Sequence, residues 1–188
     1  MRGVSNLLVI GTGGLGIWVV IILKHLLCNQ TFKVTCVDTN KDKLDSAAAL
    51  DADDVILWDS DETVETLVDN TTVSGYNRMD AVLDFVGTPK TVQTGFECLH
   101  RGGTLIVVGL QGGEIPISLP KLITKAVSIQ GVRIAGQGVL KELIDLFAVQ
   151  QIDTYPPIEL IKLDQINEVH ERLRKGQVKG RALIKYTE

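Results

Sequence analysis

The run Leu8-Val9-Ile10-Gly11-Thr12-Gly13-Gly14-Leu15-Gly16 constrains this chain more than any other stretch of it. An apolar strand that meets glycines spaced G-x-G-x-x-G and then an apolar helix can fold in few ways. Gly11 lets the chain leave the strand in a tight turn, Gly13 offers a backbone with no Cβ, and Gly16 lets the helix lie close to the sheet. The helix then presents free N–H groups and its positive dipole end above the turn, an arrangement that favours phosphate. Asp38 closes the next apolar run, Lys33-Val34-Thr35-Cys36-Val37, 22 residues after Gly16. There a carboxylate can accept hydrogen bonds from both hydroxyls of an adenosine ribose and repels a 2′-phosphate. The combination predicts a dinucleotide site that prefers NAD to NADP, with Lys43 in reach of the same ribose edge.

A membrane span is the rival reading of this run. Leu7 to Leu23 holds 17 residues without a charge, close to the shortest length that crosses a bilayer. Four glycines interrupt it, its helical part ends at Lys24-His25, and no secretory leader pattern precedes it. A buried core helix is expected instead, with no membrane partner. The net charge of −4 and a pI near 5.4 provide no basic footprint for nucleic acid.

Cys28, Cys36 and Cys98 form no C-x-x-C pair and are expected to be reduced thiols of a cytoplasmic protein. A metal held by His25, Cys28 and Cys36 is not expected, because Cys36 lies mid-strand and should face the core. Asn29-Gln30-Thr31 and Asn70-Thr71-Thr72 match the glycosylation acceptor pattern, read here as chance matches in a chain without a secretory leader.

Apolar runs alternate with helical patterns along most of the chain. Strands are expected at Asn6–Ile10, Lys33–Val37, Asp54–Leu57, Ala81–Phe85, Thr104–Val108 and Ser128–Val132. Helices are expected at Leu15–Leu27, Lys41–Leu50, Glu62–Val68, Thr91–Leu99 and Leu140–Ala148. This predicts an α/β fold: a Rossmann doubly wound parallel sheet of six strands in the order 3-2-1-4-5-6, with helices on both faces. Ligands of such sheets sit at the carboxyl ends of the strands, where the first and fourth lie side by side.

Two glycines follow strand ends there, in Val86-Gly87 and Val108-Gly109, and their backbone can read an amide-bearing ring. The passage from Gly113 to Lys121, with Pro116, is expected to be too irregular for a crossover helix. Ser128–Val132 should form a sheet edge, so residues 113–132 are an expected contact with a second copy of the chain. Residues 1–150 form the expected dinucleotide domain and 151–188 a smaller segment after Pro156-Pro157. That segment should contain a strand Ile158–Leu163, a helix from Asp164 through Lys175 and a strand Arg181–Tyr186. Leu163, Ile166, Val169 and Leu173 should bury one helix face, and His170 should be a solvated surface histidine.

Gly11-Thr12-Gly13-Gly14-Leu15-Gly16, Val37-Asp38-Thr39-Asn40-Lys41-Asp42-Lys43-Leu44, Arg101-Gly102-Gly103-Thr104 and Lys179-Gly180-Arg181-Ala182 follow one another in order. In this the chain resembles zinc-type alcohol dehydrogenases of the medium-chain dehydrogenase/reductase superfamily, from about Asn6 to Lys185. The resemblance implies that Gly11, Gly13, Gly14, Leu15 and Gly16 cradle a pyrophosphate while Asp38 and Lys43 hold the ribose. It implies that the backbone at Val86, Val108, Leu110 and Ile134, together with Gly87, lines the nicotinamide, and that Arg181 reaches the pyrophosphate. It also implies hydride exchange between a small alcohol or carbonyl substrate and NAD, with zinc polarising the substrate oxygen.

Departures from the family pattern shape the expectation further. The zinc ligands and the Ser/Thr–His proton relay of the family's N-terminal domain cannot be placed in this chain, nor can the four close cysteines of a structural zinc. The chain is therefore expected to bind NAD(H), to hold no catalytic or metal-ligating residue, and to be inactive alone, with zinc confined to an absent catalytic half. Asp51 stands where such relatives often carry glycine, at a cost of ~1 kcal/mol or less if it adopts a left-handed conformation. A zinc-free, NADPH-dependent quinone or enoyl reductase is an alternative that Asp38 opposes. A non-catalytic NAD-sensing module is another, opposed by the Ile158–Tyr186 segment. Short-chain dehydrogenase chemistry is not expected, since none of Tyr76, Tyr155 or Tyr186 is followed four residues later by lysine.

Overall fold

Leu7 and Val9 pack into one cluster and Leu8 and Ile10 into another, on opposite faces of β1 (Asn6–Ile10). Such a strand is stable only inside a sheet covered on both sides. The structure, a computed structural model, describes residues 6–26, 32–58, 66–67, 79–149, 152 and 155–186. In it β1 lies parallel between β2 (Lys33–Asp38) and β4 (Met79–Asp84). With β3 (Asp54–Leu57), β5 (Leu99–Val107) and β6 (Ser128–Gly131) they form a six-stranded parallel sheet ordered β3-β2-β1-β4-β5-β6. This is the predicted Rossmann order.

Helices cover both faces. Ile17 and Val20 of α1 (Gly16–Leu26) and Leu44 and Ala47 of α2 (Lys41–Ala48) pack with Leu7, Val9, Val34 and Cys36. Val92 and Phe96 of α3 (Pro89–Cys98) pack on the other face with Leu8, Ile10, Val37, Val82 and Leu105. The charge-free run is thus divided between a strand, a turn and a short helix. Among the described residues no helix is long and apolar enough to cross a membrane.

The structure corrects the expectation in several places, each for a local reason. The passage after Gly112 does contain a helix, α4 (Leu119–Lys125): the Ser118 side chain accepts the Lys121 N–H and Pro120 sits in the first turn. It is too short to leave a legible apolar stripe. Helix α3 starts two residues before Thr91, because Thr88 and Thr91 cap each other reciprocally and Pro89 pre-sets the first turn. Strand β5 begins at Leu99, ahead of Thr104, across a register irregularity between Met79 and Ala81 of β4. Helix α5 (Gln137–Val149) begins before Leu140. Of the expected helix Glu62–Val68, only Thr66 and Leu67 lie within the described residues, and both are helical. Asp51 adopts φ +65°, the left-handed conformation anticipated for it.

Beyond these, β7 (Ile158–Ile161) and β8 (Arg181–Ile184) pair in parallel, joined through a 3-10 turn (Leu163–Gln165) and α6 (Ile166–Arg174). Ile161, Val169 and Val178 form a separate small core with Ala182 beside them. Of the four side chains expected to bury one face of this helix only Val169 does so, while Leu163 and Leu173 are exposed. Two strands cover only a narrow stripe of a helix, and Leu173 turns instead toward the cleft described below. The unit is tied to the larger sheet where the Asn40 Nδ2–H donates to the Gly176 carbonyl at 3.2 Å, and by an ion pair of 3.1 Å from Lys179 to Asp42.

Candidate functional site

Ile10 is in register with Val37 of β2 and Asp84 of β4, so three chains leave the sheet at one level. Above them opens a cleft of about 590 Å³, lined by Gly11, Gly13, Gly14, Leu15, Gly16, Asp38 and Lys43 among others. The sequence-predicted turn and its acid therefore meet in one place.

The glycines of the turn answer different demands. Gly11 has φ +87° and its N–H donates to the Val37 carbonyl at 2.8 Å, which ties the turn to β2. A Cβ on Gly16 would stand 1.9 Å from the Gly11 carbonyl oxygen, so packing alone excludes a side chain there. Gly13 is different. Its φ is not positive and a Cβ on it would find no atom within 4 Å. Among the described residues nothing requires glycine at this position, and its bare backbone leaves the turn open to a closely approaching phosphate. The residues present therefore fit a dinucleotide pyrophosphate.

The Asp38 carboxylate is held by three donors. Its Oδ2 accepts the Thr12 N–H at 2.8 Å and the Thr12 hydroxyl at 3.1 Å, and its Oδ1 accepts the Asn40 N–H at 3.0 Å. Lys43 lines the same cleft. A smaller cavity of about 190 Å³ adjoins through Gly13, Gly14 and Lys43, and Arg181 forms part of its wall. Gly14 lies so close to this wall that a Cβ on it would meet the Gly180 oxygen at 3.0 Å and the Arg181 side chain at 3.1 Å. The small C-terminal unit thus brings its arginine to the glycine turn.

The expected ring-lining positions divide. Val86 lines the cleft, whereas Gly87, Val108, Leu110 and Ile134 do not. Gly87 has φ +72° and a Cβ on it would lie 2.1 Å from the Gly109 oxygen, so its glycine serves the crossing of two strand ends. Leu110 and Ile134 project outward with 96% and 95% of their surface exposed.

Several residues were not read from the sequence as lining a site: Trp58, Thr88, Lys90, Thr91, Gln111, Leu173, Arg174 and Gly176. Trp58 follows β3, donates its backbone N–H to the Asp38 carbonyl at 3.0 Å, and carries the Lys90 ammonium 4.9 Å from its ring centroid. Its indole N–H is buried and has no hydrogen-bond partner among the described residues. Asp84 was also missed. Fully buried, it accepts the Val86 and Gly87 N–H groups on Oδ1 at 2.8 and 3.0 Å and the Thr91 hydroxyl on Oδ2 at 2.8 Å. An acid inside an apolar strand, just before a Gly-Thr-Pro helix start, is the sequence pattern that marks it.

Burial pushes the Cys36 thiol up to about 12 against the opposing pull of Lys24, so it is no thiolate at neutral pH. Cys28 lies outside the described residues. Among the described residues no three His, Cys, Asp or Glu side chains group as a metal ion would require.

Residues 14–149 match the family described as zinc-binding dehydrogenase. An alcohol dehydrogenase of Geobacillus stearothermophilus is 30% identical over 178 residues, covering 95% of this chain and 49% of that protein. One from Moraxella sp. (strain TAE123) is 28% identical over 177 residues, covering 94% and 49%. Among solved structures, the alcohol dehydrogenase of the hyperthermophilic archaeon Aeropyrum pernix superposes with a TM-score of 0.82 at 33% identity, covering 97% of this chain and 50% of that one. The acetophenone reductase of Geotrichum candidum, in complex with NAD, superposes with a TM-score of 0.79 at 26% identity, covering 99% and 50%. The chain spans about half the length of the curated relatives it matches.

Proposed function

The chain belongs to the zinc-binding dehydrogenase family, and on that premise we propose that its cleft holds NAD(H) for an alcohol or polyol dehydrogenase reaction. Gly13 is the observation that carries this reading, a glycine demanded by nothing among the described residues and lining an open cleft. The turn Gly11–Gly16 would cradle the pyrophosphate, with Arg181 neutralising it from the C-terminal unit. Asp38 and Lys43 would hold the adenosine ribose, and the Asp38 charge disfavours a 2′-phosphate. Of the positions expected to line the nicotinamide, Val86 is the one that this proposal places along it.

Bound NAD supplies the hydride acceptor for an alcohol carbon, and the chain's own residues bind and orient it. The alcohol dehydrogenases and the acetophenone reductase among its relatives support an alcohol or carbonyl compound as the substrate. Residues 1–150 act in this proposal as the dinucleotide domain and 151–188 as the unit that delivers Arg181. Buried reduced thiols at Cys36 and Cys98 suit a cytoplasmic setting. A second copy is proposed to meet the free edge of β6.

Titration calorimetry with NADH and NADPH tests the reading. NADH should bind and be preferred, and Asp38→Ala should weaken NADH by about 1.5–3 kcal/mol while narrowing the preference. Absence of NADH binding would overturn the assignment. These 188 residues are expected to oxidise no alcohol alone; turnover of simple primary or secondary alcohols by the purified chain would overturn that part.

A further inference from the structure

We infer that Thr12 is a positioning residue for dinucleotide choice, acting through Asp38. Thr12 stands at the first non-glycine place of the G-x-G-x-x-G turn and is almost fully buried, with 1% of its surface exposed. Its backbone N–H and its hydroxyl both donate to one oxygen, Asp38 Oδ2, at 2.8 and 3.1 Å. A carboxylate offers about four lone-pair sites, two on each oxygen. Thr12 therefore takes both sites of Oδ2, and the Asn40 N–H takes one of Oδ1 at 3.0 Å.

The carboxylate is left with one oxygen half engaged and its plane fixed at both ends. The free site on Oδ1 is the one a ribose hydroxyl can use. Fixing the plane matters more for the wrong ligand than for the right one. A carboxylate free to turn about its last bond could swing away from a 2′-phosphate and relieve the repulsion. Clamped by a buried hydroxyl, it stays and repels. Without the hydroxyl two backbone donors remain, the Thr12 N–H on Oδ2 and the Asn40 N–H on Oδ1, and the hold on the carboxylate is weaker by one hydrogen bond.

This inference rests on the NAD reading of the cleft and extends it to a residue outside the glycines and the acid. The test is a comparison of Thr12→Val, Thr12→Ser and Asp38→Ala with the unchanged chain, by calorimetric titration with NADH and with NADPH beside a thermal melt. Thr12→Val should strengthen NADPH by about 3- to 10-fold and leave NADH within about twofold, so the NADH:NADPH preference falls. Thr12→Ser, which restores the hydroxyl, should return the ratio to that of the unchanged chain. If valine prevents folding, Thr12→Ala removes the hydroxyl without added bulk and carries the same expectation.

A ratio unmoved by Thr12→Val or Thr12→Ala, while Asp38→Ala narrows it, would overturn the inference and leave the cofactor reading intact. Equal losses of both ligands without rescue by serine would also overturn it, because a merely structural role lowers both together. Failure of the unchanged chain to bind NADH would overturn the cofactor reading and this inference with it.

Discussion

A Cβ on Gly16 would stand 1.9 Å from the carbonyl oxygen of Gly11, while one on Gly13, three residues earlier, would touch nothing within 4 Å. The two glycines of one motif are therefore kept for opposite reasons, and the difference is measurable. Gly16→Ala should cost about 3 kcal/mol of stability, as backbone must move to admit the methyl group. Gly13→Ala should change stability by less than about 1 kcal/mol and weaken NADH at least about tenfold. Denaturant unfolding and calorimetric titration of both variants check this. Equal effects of the two substitutions on stability and binding would defeat the distinction.

Asp84 joins two strand ends to a helix start. Its side chain takes the Val86 and Gly87 N–H groups and the Thr91 hydroxyl, and its backbone carbonyl takes the Val108 and Gly109 N–H groups at 2.8 and 3.0 Å. Asp84→Ala strands three donors in a buried setting and should destabilise the chain by about 3 kcal/mol or more. Loss of cleft shape at Val86 should weaken NADH as well. A denaturation midpoint within error of the unchanged chain would refute this role.

The central strands β1, β2 and β4 were legible in the sequence because they pack on both faces, which leaves short, nearly continuous apolar runs. The glycine turn and Asp38 were legible because each answers a demand with few residue solutions. Trp58, Lys90 and Leu173 were not, since they enter the cleft only through how β3, α3 and the C-terminal unit are placed. Asp84 was hidden by its strand, where periodicity reports exposure and is silent about hydrogen bonds. Helix α4 was hidden by its own length.

Acid should loosen the fold through two partly buried carboxylates. Burial pushes the Asp53 carboxyl up, but the Lys24 ammonium and the Val34 N–H outweigh it and hold the group below its ordinary 3.8. At Glu97 burial is likewise outweighed by Lys121 and Lys125, which hold it below 4.5. A folded value below the unfolded one means that the unfolded chain takes up protons first as pH falls. The stabilisation is then complete above the ordinary values and is lost as pH drops through the folded ones. Unfolding midpoints should hold level down to about pH 5 and fall below about pH 4, with a shallower fall in Asp53→Asn. An identical acid limb in that variant would remove Asp53 from the account.

The free edge of β6 yields the last prediction. Among the described residues β6 pairs only with β5, so its outer N–H and C=O groups face away from the sheet. Exposed apolar side chains flank it, Ile123 on α4 and Val132 and Ile134 just beyond the strand. An unpaired edge beside apolar surface is suited to a second, two-fold related copy, in which each edge meets its own equivalent. In the proposed two-fold contact one substitution would introduce two like charges into a single interface. Val132→Lys should therefore convert a dimer to a monomer in sedimentation velocity while leaving NADH affinity within about twofold, since Val132 does not line the cleft. A chain that sediments as a monomer at every concentration, or a variant that stays dimeric, would rule out this edge as the contact.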